Sequence, residues 1–102
     1  MVKDFLFKVH KSYRSVISIC DKEIYGKKFT QGDMQLDLTG VFFSGEEVDK
    51  EELREEIIRC VREDATFNIV GEKSIELIKE LGMVKEEDVL RVEGVPFLLV
   101  LL

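Results

Sequence analysis

The chain has 102 residues, 45 % hydrophobic and 35 % charged, with a formal net charge of −6. This is the size of a single domain, 1–102, which should bury roughly 60 to 70 % of its unfolded surface without staples, and the composition excludes disorder of the whole chain. Two distant cysteines, Cys20 and Cys60, and a lone histidine, His10, exclude the ligand spacing of a structural zinc or iron–sulfur site within one chain.

The opening MVKDFLFKVHKSY has charges inside its apolar stretch and no small-residue cleavage site, so no signal peptide is expected. Within it Phe5, Phe7 and Val9 alternate with Leu6, Lys8 and His10, the period of a strand. KSYR reads as a turn, and the β-branched SVISIC returns as the second strand of a hairpin over residues 15 to 21. DKEIYGKKFTQGD, with two glycines and dense charge, reads as a loop or a single helical turn. MQLDLT alternates again and gives a half-exposed third strand.

A helix is expected from Lys50. Asp49 can cap it, Glu52 can complete a capping box, and Val48 can staple to Leu53. Its stripe is Leu53, Ile57, Cys60 and Val61, widened by Ile58, with a Glu55–Arg59 pair outside. Cys60 reads as a small buried hydrophobe. A second helix is expected to start between Thr66 and Gly71, burying Val70, Leu77, Ile78 and Leu81 with Ser74 as a small contact, and to stop at Gly82 with Met83 and Val84 folding back.

The GEKS inside this segment invites comparison with a phosphate-binding loop. That loop needs Lys directly after its second Gly and a strand before it. Here Glu72 stands between Gly71 and Lys73, Thr66 occupies the place of the first Gly, and the preceding residues read as helical. A phosphate cradle is therefore not expected, and Gly71 reads as a site of close packing or a sharp bend.

VLRVEGVPFLLVLL reads as a strand, a tight Glu93-Gly94 turn and a last strand from Val95 to Leu102, with Pro96 near its start. This last strand is apolar on both faces and needs cover on both sides, either as a central strand or by pairing across a dimer. The expected fold is α+β with two layers: a mostly antiparallel sheet of about five strands with two main helices packed on one face, and homodimerisation through the last strand.

From Cys20 onward, CDKEIYGKKFTQGDMQLDL, the FFSG loop, NIVGEKSIELIKELGMV and VLRVEGVP resemble a small archaeal family, the domain of unknown function numbered 424. Ile24, Tyr25, Gly26, Lys27 and Phe29 match its L-L-G-K-x-F stretch. Phe42, Phe43 and Gly45 match its F-Y-x-G loop, and Asn68 to Gly71 its A-N-L-V-G. Gly94, Val95 and Pro96 match G-V-P-H-A-Q, but Phe97, Leu98 and Leu99 stand where His, Ala and Gln would be. The resemblance implies a short single-domain archaeal protein linked to translation or RNA.

Residues 1 to 32 carry seven basic and three acidic side chains, +4, and the remainder eight and eighteen, −10. A basic N-terminal third suits a nucleic-acid backbone. One reading is a non-catalytic module for RNA or a translation component, with Arg14, Lys22, Lys27 and Lys28 on phosphates and Tyr13, Tyr25 or Phe29 stacking on bases. Against it, Tyr25 and Phe29 would fill the core and the lysines be merely solvated. A second reading is a protein–protein adaptor or homodimeric structural protein. An enzyme is disfavoured: Asp21, Asp33, Asp37 and Asn68 are its only evident candidates, and they read as turn and cap residues. Asn68 is the polar residue to test first, as a site residue or a cap. Gly26, Gly45, Gly71, Gly82, Gly94 and Pro96 read as structural. No cofactor, metal or membrane contact is expected, and the reading is cytoplasmic with reduced thiols.

Overall fold

The computed structural model describes residues 2–11 and 13–101. The turn at KSYR includes Ser12 and the last strand as read from the sequence ends on Leu102, and both residues lie outside this range. In chain order the elements are β1 (Phe5–His10), β2 (Val16–Asp21), β3 (Lys28–Gln31), β4 (Met34–Asp37), β5 (Glu46–Val48), α1 (Lys50–Val61), β6 (Thr66–Val70), α2 (Glu72–Glu80), β7 (Leu90–Val92) and β8 (Val95–Leu101).

Six strands form one mixed sheet in the order β5-β1-β2-β6-β8-β7, and β3 and β4 form a separate two-stranded sheet. The β2–β6 pair is parallel, and the other pairs are antiparallel. The expected five-stranded, two-layer arrangement is therefore corrected to a six-stranded sheet with helices on one face and a β-hairpin on part of the other.

Alternation divides the core in two. Phe5, Phe7, Ile17, Ile19, Phe67, Ile69 and Val100 face the helices and pack with Leu53 and Ile57 of α1 and Ile75, Leu77 and Ile78 of α2. Burying each such side chain is worth about 1.5 to 3 kcal/mol, so this layer carries most of the stability. Leu6, Cys20, Val70 and Val92 face the other way, under Leu36 and Leu38 from the β3–β4 hairpin, with Tyr25, Phe29 and Phe97 packed at the margin. Both faces of the first half of β8 are thereby covered within one chain.

The capping box on α1 forms: Asp49 accepts from the Glu52 amide at 2.9 Å and Glu52 from the Asp49 amide at 3.1 Å. Ile58 and Val61 lie at the rim of the stripe, both exposed. Arg59 pairs with Glu56 and Glu63 rather than with Glu55, although all three lie one turn away from it.

The second helix begins only at Glu72, and Thr66–Val70 before it is a central strand. Its alternation is short and runs straight into the helical pattern, which conceals it: Phe67 and Ile69 face the helices while Val70 belongs to the opposite core and shares no face with Leu77 and Ile78. Ile75 takes the place expected of Val70. At the far end the Met83 amide donates to the Ile78 carbonyl at 3.2 Å and the Gly82 amide to Lys79 at 2.9 Å, the paired bonds of a Schellman stop. Lys28–Gln31, read as loop, is a strand, because it pairs with β4 across the Gly32-Asp33 turn. Among the described residues no helix is long and apolar enough to cross a membrane.

Candidate binding site on the open sheet face

The register sets three cross-strand rows on the face away from the helices. Leu6, Cys20, Val70, Phe97 and Leu90 form the first, Lys8, Ser18, Asn68 and Leu99 the second, and His10, Val16, Thr66 and Leu101 the third. The β3–β4 hairpin covers the first row from Leu6 to Phe97 and leaves Leu90 exposed. The other two rows are only partly covered, by the loop at residues 41–45.

That loop is fixed to β1 at several points. Phe42 stacks on His10 with ring centroids 4.4 Å apart, and Phe43 meets Phe42 edge-on. His10 Nε2 lies 2.9 Å from the Phe42 carbonyl oxygen and 3.2 Å from Ser18 Oγ, and Lys8 Nζ donates to the Val41 carbonyl at 3.3 Å. A Cβ on Gly45 would lie 2.5 Å from the Phe7 carbonyl oxygen, so only Gly lets the loop approach β1 this closely. Between the loop and β8 lies a groove of about 280 Å³ lined by Phe42, Phe43, Asn68, Phe97 and Leu99. Its walls are apolar, and half-buried Asn68 is the polar side chain that faces it. Phe97, Leu98 and Leu99, which the resemblance sets in the places of His, Ala and Gln, line this same groove. His10 and Ser18 have no signal in the sequence, because their meeting depends on the β1–β2 register.

The basic residues expected at a site do not converge on one spot. Arg14 lies in the β1–β2 turn and donates to the Asp64 carbonyl at 2.8 Å. Lys22 lies beyond the other end of β2, paired with Glu47 at 2.8 Å. Eight residues of extended chain separate the two, about 26 Å. Tyr25 is half-buried against the second core, its hydroxyl donating to the Gly40 carbonyl at 2.9 Å. Lys27 and Lys28 are exposed at the hairpin, Lys28 opposite Asp37. Lys8 belongs to the second row, and Lys11 and Tyr13 follow His10 of the third in the chain.

Charge divides across the sheet. Residues 49–88, which hold both helices, carry 7 basic and 13 acidic side chains, the whole net charge of −6. The remaining segments carry 8 of each, and one of those acids, Asp21, is 1 % exposed. The open face is therefore not the acidic side of the molecule.

Asp21 resolves the GEKS motif. Its carboxylate accepts from the amides of Lys73 at 2.9 Å and Ser74 at 2.8 Å and from the Ser74 hydroxyl at 2.6 Å. The segment is strand, turn and helix after all, and the amides at the N-terminus of α2 do hold an anion, but the anion is the protein's own side chain. Gly71, at φ +114°, leaves room for it, since a Cβ there would lie 2.2 Å from the Asp21 carboxyl carbon. No space for a phosphate remains.

The thiols are not poised to react. Burial, aided by neighbouring Asp21, pushes Cys20 up to about 12, and burial also raises Cys60. Asp37 is held below the usual carboxylate range by hydrogen bonds from Thr39. Among the described residues no cluster of His, Cys, Asp and Glu has the geometry of a metal site.

The fold recurs in the crystal structure of an uncharacterized conserved protein from the archaeon Methanopyrus kandleri. It is 21 % identical with a TM-score of 0.82, over 95 % of this chain and 91 % of that one. Among curated proteins none matches. Residues 10–102 match the family described as protein of unknown function DUF424, and the chain belongs to that family.

Proposed function

We propose that this protein is a non-catalytic binding module that takes single-stranded RNA, as from the translation apparatus, across the open half of its sheet. The observation that carries this reading is the Phe42–His10 stack at the edge of an uncovered sheet face, with Phe42 40 % exposed. A base can stack on such an aromatic surface, and stacking contributes about 1 to 3 kcal/mol per base. Asn68 offers both a donor and an acceptor to a base edge in the adjoining groove. Lys8, Lys11 and Arg14 flank the same rows, and Lys27 and Lys28 lie apart from them on the hairpin. The acidic helices lie on the far side of the sheet, where they repel the phosphate backbone least.

Filter binding of total tRNA and ribosomal RNA tests this. Retention should fall with salt, weaken when Lys8 and Lys11 are reversed to Glu, and weaken when Phe42 is replaced by Ala. No retention at low salt removes the reading. The exposed Leu90, Leu99 and Leu101 favour a second reading, a protein adaptor. An adaptor would retain a defined protein partner in a manner indifferent to those charge reversals.

A further inference from the structure

We propose that two copies of this chain pair through the outer edge of β8, making one continuous sheet across a two-fold axis. The observation is an unguarded edge. β8 pairs with β6 over Phe97–Leu101, but with β7 only over Val95–Phe97. Among the described residues, no strand pairs with the outer side of Leu98–Leu101.

Two hydrogen bonds fix which backbone groups point outward. The Gly71 amide donates to the Pro96 carbonyl at 2.9 Å, so Pro96 faces β6, while the Thr66 amide turns the other way, to the Ser15 carbonyl at 3.0 Å. Alternation along β8 then aims the groups of Leu98 and Val100 at β6 and those of Leu99 and Leu101 outward. Leu99 and Leu101 are 53 % and 71 % exposed, with Leu90 at 53 % beside them.

The other exposed edges are protected by charge. β5 is three residues long and carries Glu46 and Glu47, and Arg91 on β7 is held between Glu72 and Glu86. Leu98–Leu101 has no charge, Pro or bulge of the kind that discourages edge pairing. Its fitting occupant is a strand equally free of charge on both faces, and this segment meets that requirement itself. Antiparallel pairing about Val100 sets Leu99 against Leu101 of a second copy and Leu101 against Leu99. Leu99 and Leu101 of each copy then exchange hydrogen bonds, and residues 99–101 of one copy cover residues 99–101 of the other. The exposed leucines of the two copies meet on one face, adding apolar area to a strand contact that alone falls short of the roughly 800 Å² per partner of a stable interface. The inference does not rest on the RNA reading, because it uses the strand edge.

Sedimentation equilibrium and light scattering from the micromolar to the millimolar range test it. The expected result is a mass rising to twice 11.8 kDa. Leu101→Pro removes an outward amide without touching the β6 ladder, so it should return the mass to that of a monomer with the thermal midpoint of the dilute protein unchanged. Leu99→Lys should do the same by placing a charge at the seam. Ile58→Lys, on the helical layer, should leave the dimer intact. A monomer mass throughout the range, or a dimer that survives both β8 substitutions, overturns the proposal.

Discussion

Replacing Asp21 with Asn tests the linkage between the sheet and the second helix. The side chain keeps its shape, but one oxygen becomes an amide nitrogen facing an N–H donor. Either the bond from Lys73 or the pair from Ser74 is lost. A hydrogen bond to a charged group contributes about 1.5 to 3 kcal/mol, and the loss of the negative charge at the helix N-terminus adds about 0.3 to 1 kcal/mol. The expected cost is therefore about 2 to 4 kcal/mol, a large share of the roughly 5 to 15 kcal/mol that holds a domain of this size together. At about 4 to 8 °C per kcal/mol the thermal midpoint should fall by roughly 8 to 32 °C. Urea denaturation followed by circular dichroism measures the loss, and Asp37→Asn serves as the control. Asp37 also holds hydrogen bonds, from Thr39, but it is exposed, and its replacement should barely move the midpoint. Equal effects at the two positions, or a loss below about 1 kcal/mol for Asp21→Asn, would refute the assignment of Asp21 as the buried anion that caps α2.

Gly71→Ala should destabilise strongly in the natural background and less in an Asp21→Ala background, where the clash is gone and only backbone strain of about 1 to 3 kcal/mol remains; additive effects in a double-mutant cycle would contradict this. Cys20 has a raised pKa in the folded state, so stability should be fully present below pH 9.0 and decline as the pH rises toward about 12, and Cys20→Ala should flatten that decline in pH-dependent urea melts. Native protein at pH 8 should leave both thiols unreacted with a disulfide reagent, and both should react once it is unfolded. Gly45→Ala should shift the 41–45 loop off β1 and speed amide exchange at Ser44, whose amide bonds the Val41 carbonyl at 3.2 Å, while the helical amides keep their protection.

The sequence is most informative where one element carries its own pattern. The capping box at Asp49, the Schellman stop at Gly82 and the Glu93-Gly94 hairpin each depend on residues within a few positions, and each forms. It misleads at Thr66–Val70, because a central strand of five residues that leads directly into a helix offers too little alternation to stand apart. That error also hides the role of Asp21: a carboxylate 50 residues upstream caps α2 only because β2 and β6 lie parallel and side by side. The candidate site depends on the same tertiary facts. Asn68 is visible as an isolated polar residue in an apolar stretch, but its row with Ser18 and Leu99 exists only through pairing in the sheet. His10 and Phe42 are 32 residues apart and come together because Gly45 allows the loop to lie on β1. The basic third of the sequence, by contrast, is a statement about chain order, and folding distributes its lysines along the length of β2 and the hairpin.

Amide chemical-shift mapping during titration with a single-stranded RNA oligonucleotide at low salt tests the binding surface most directly. Lys8, His10, Ser18, Asn68 and Leu99 should shift together with the Phe42 loop, and the outer amides of α1 and α2 should stay in place. Shifts confined to the helical layer, or none at saturating RNA, would contradict it.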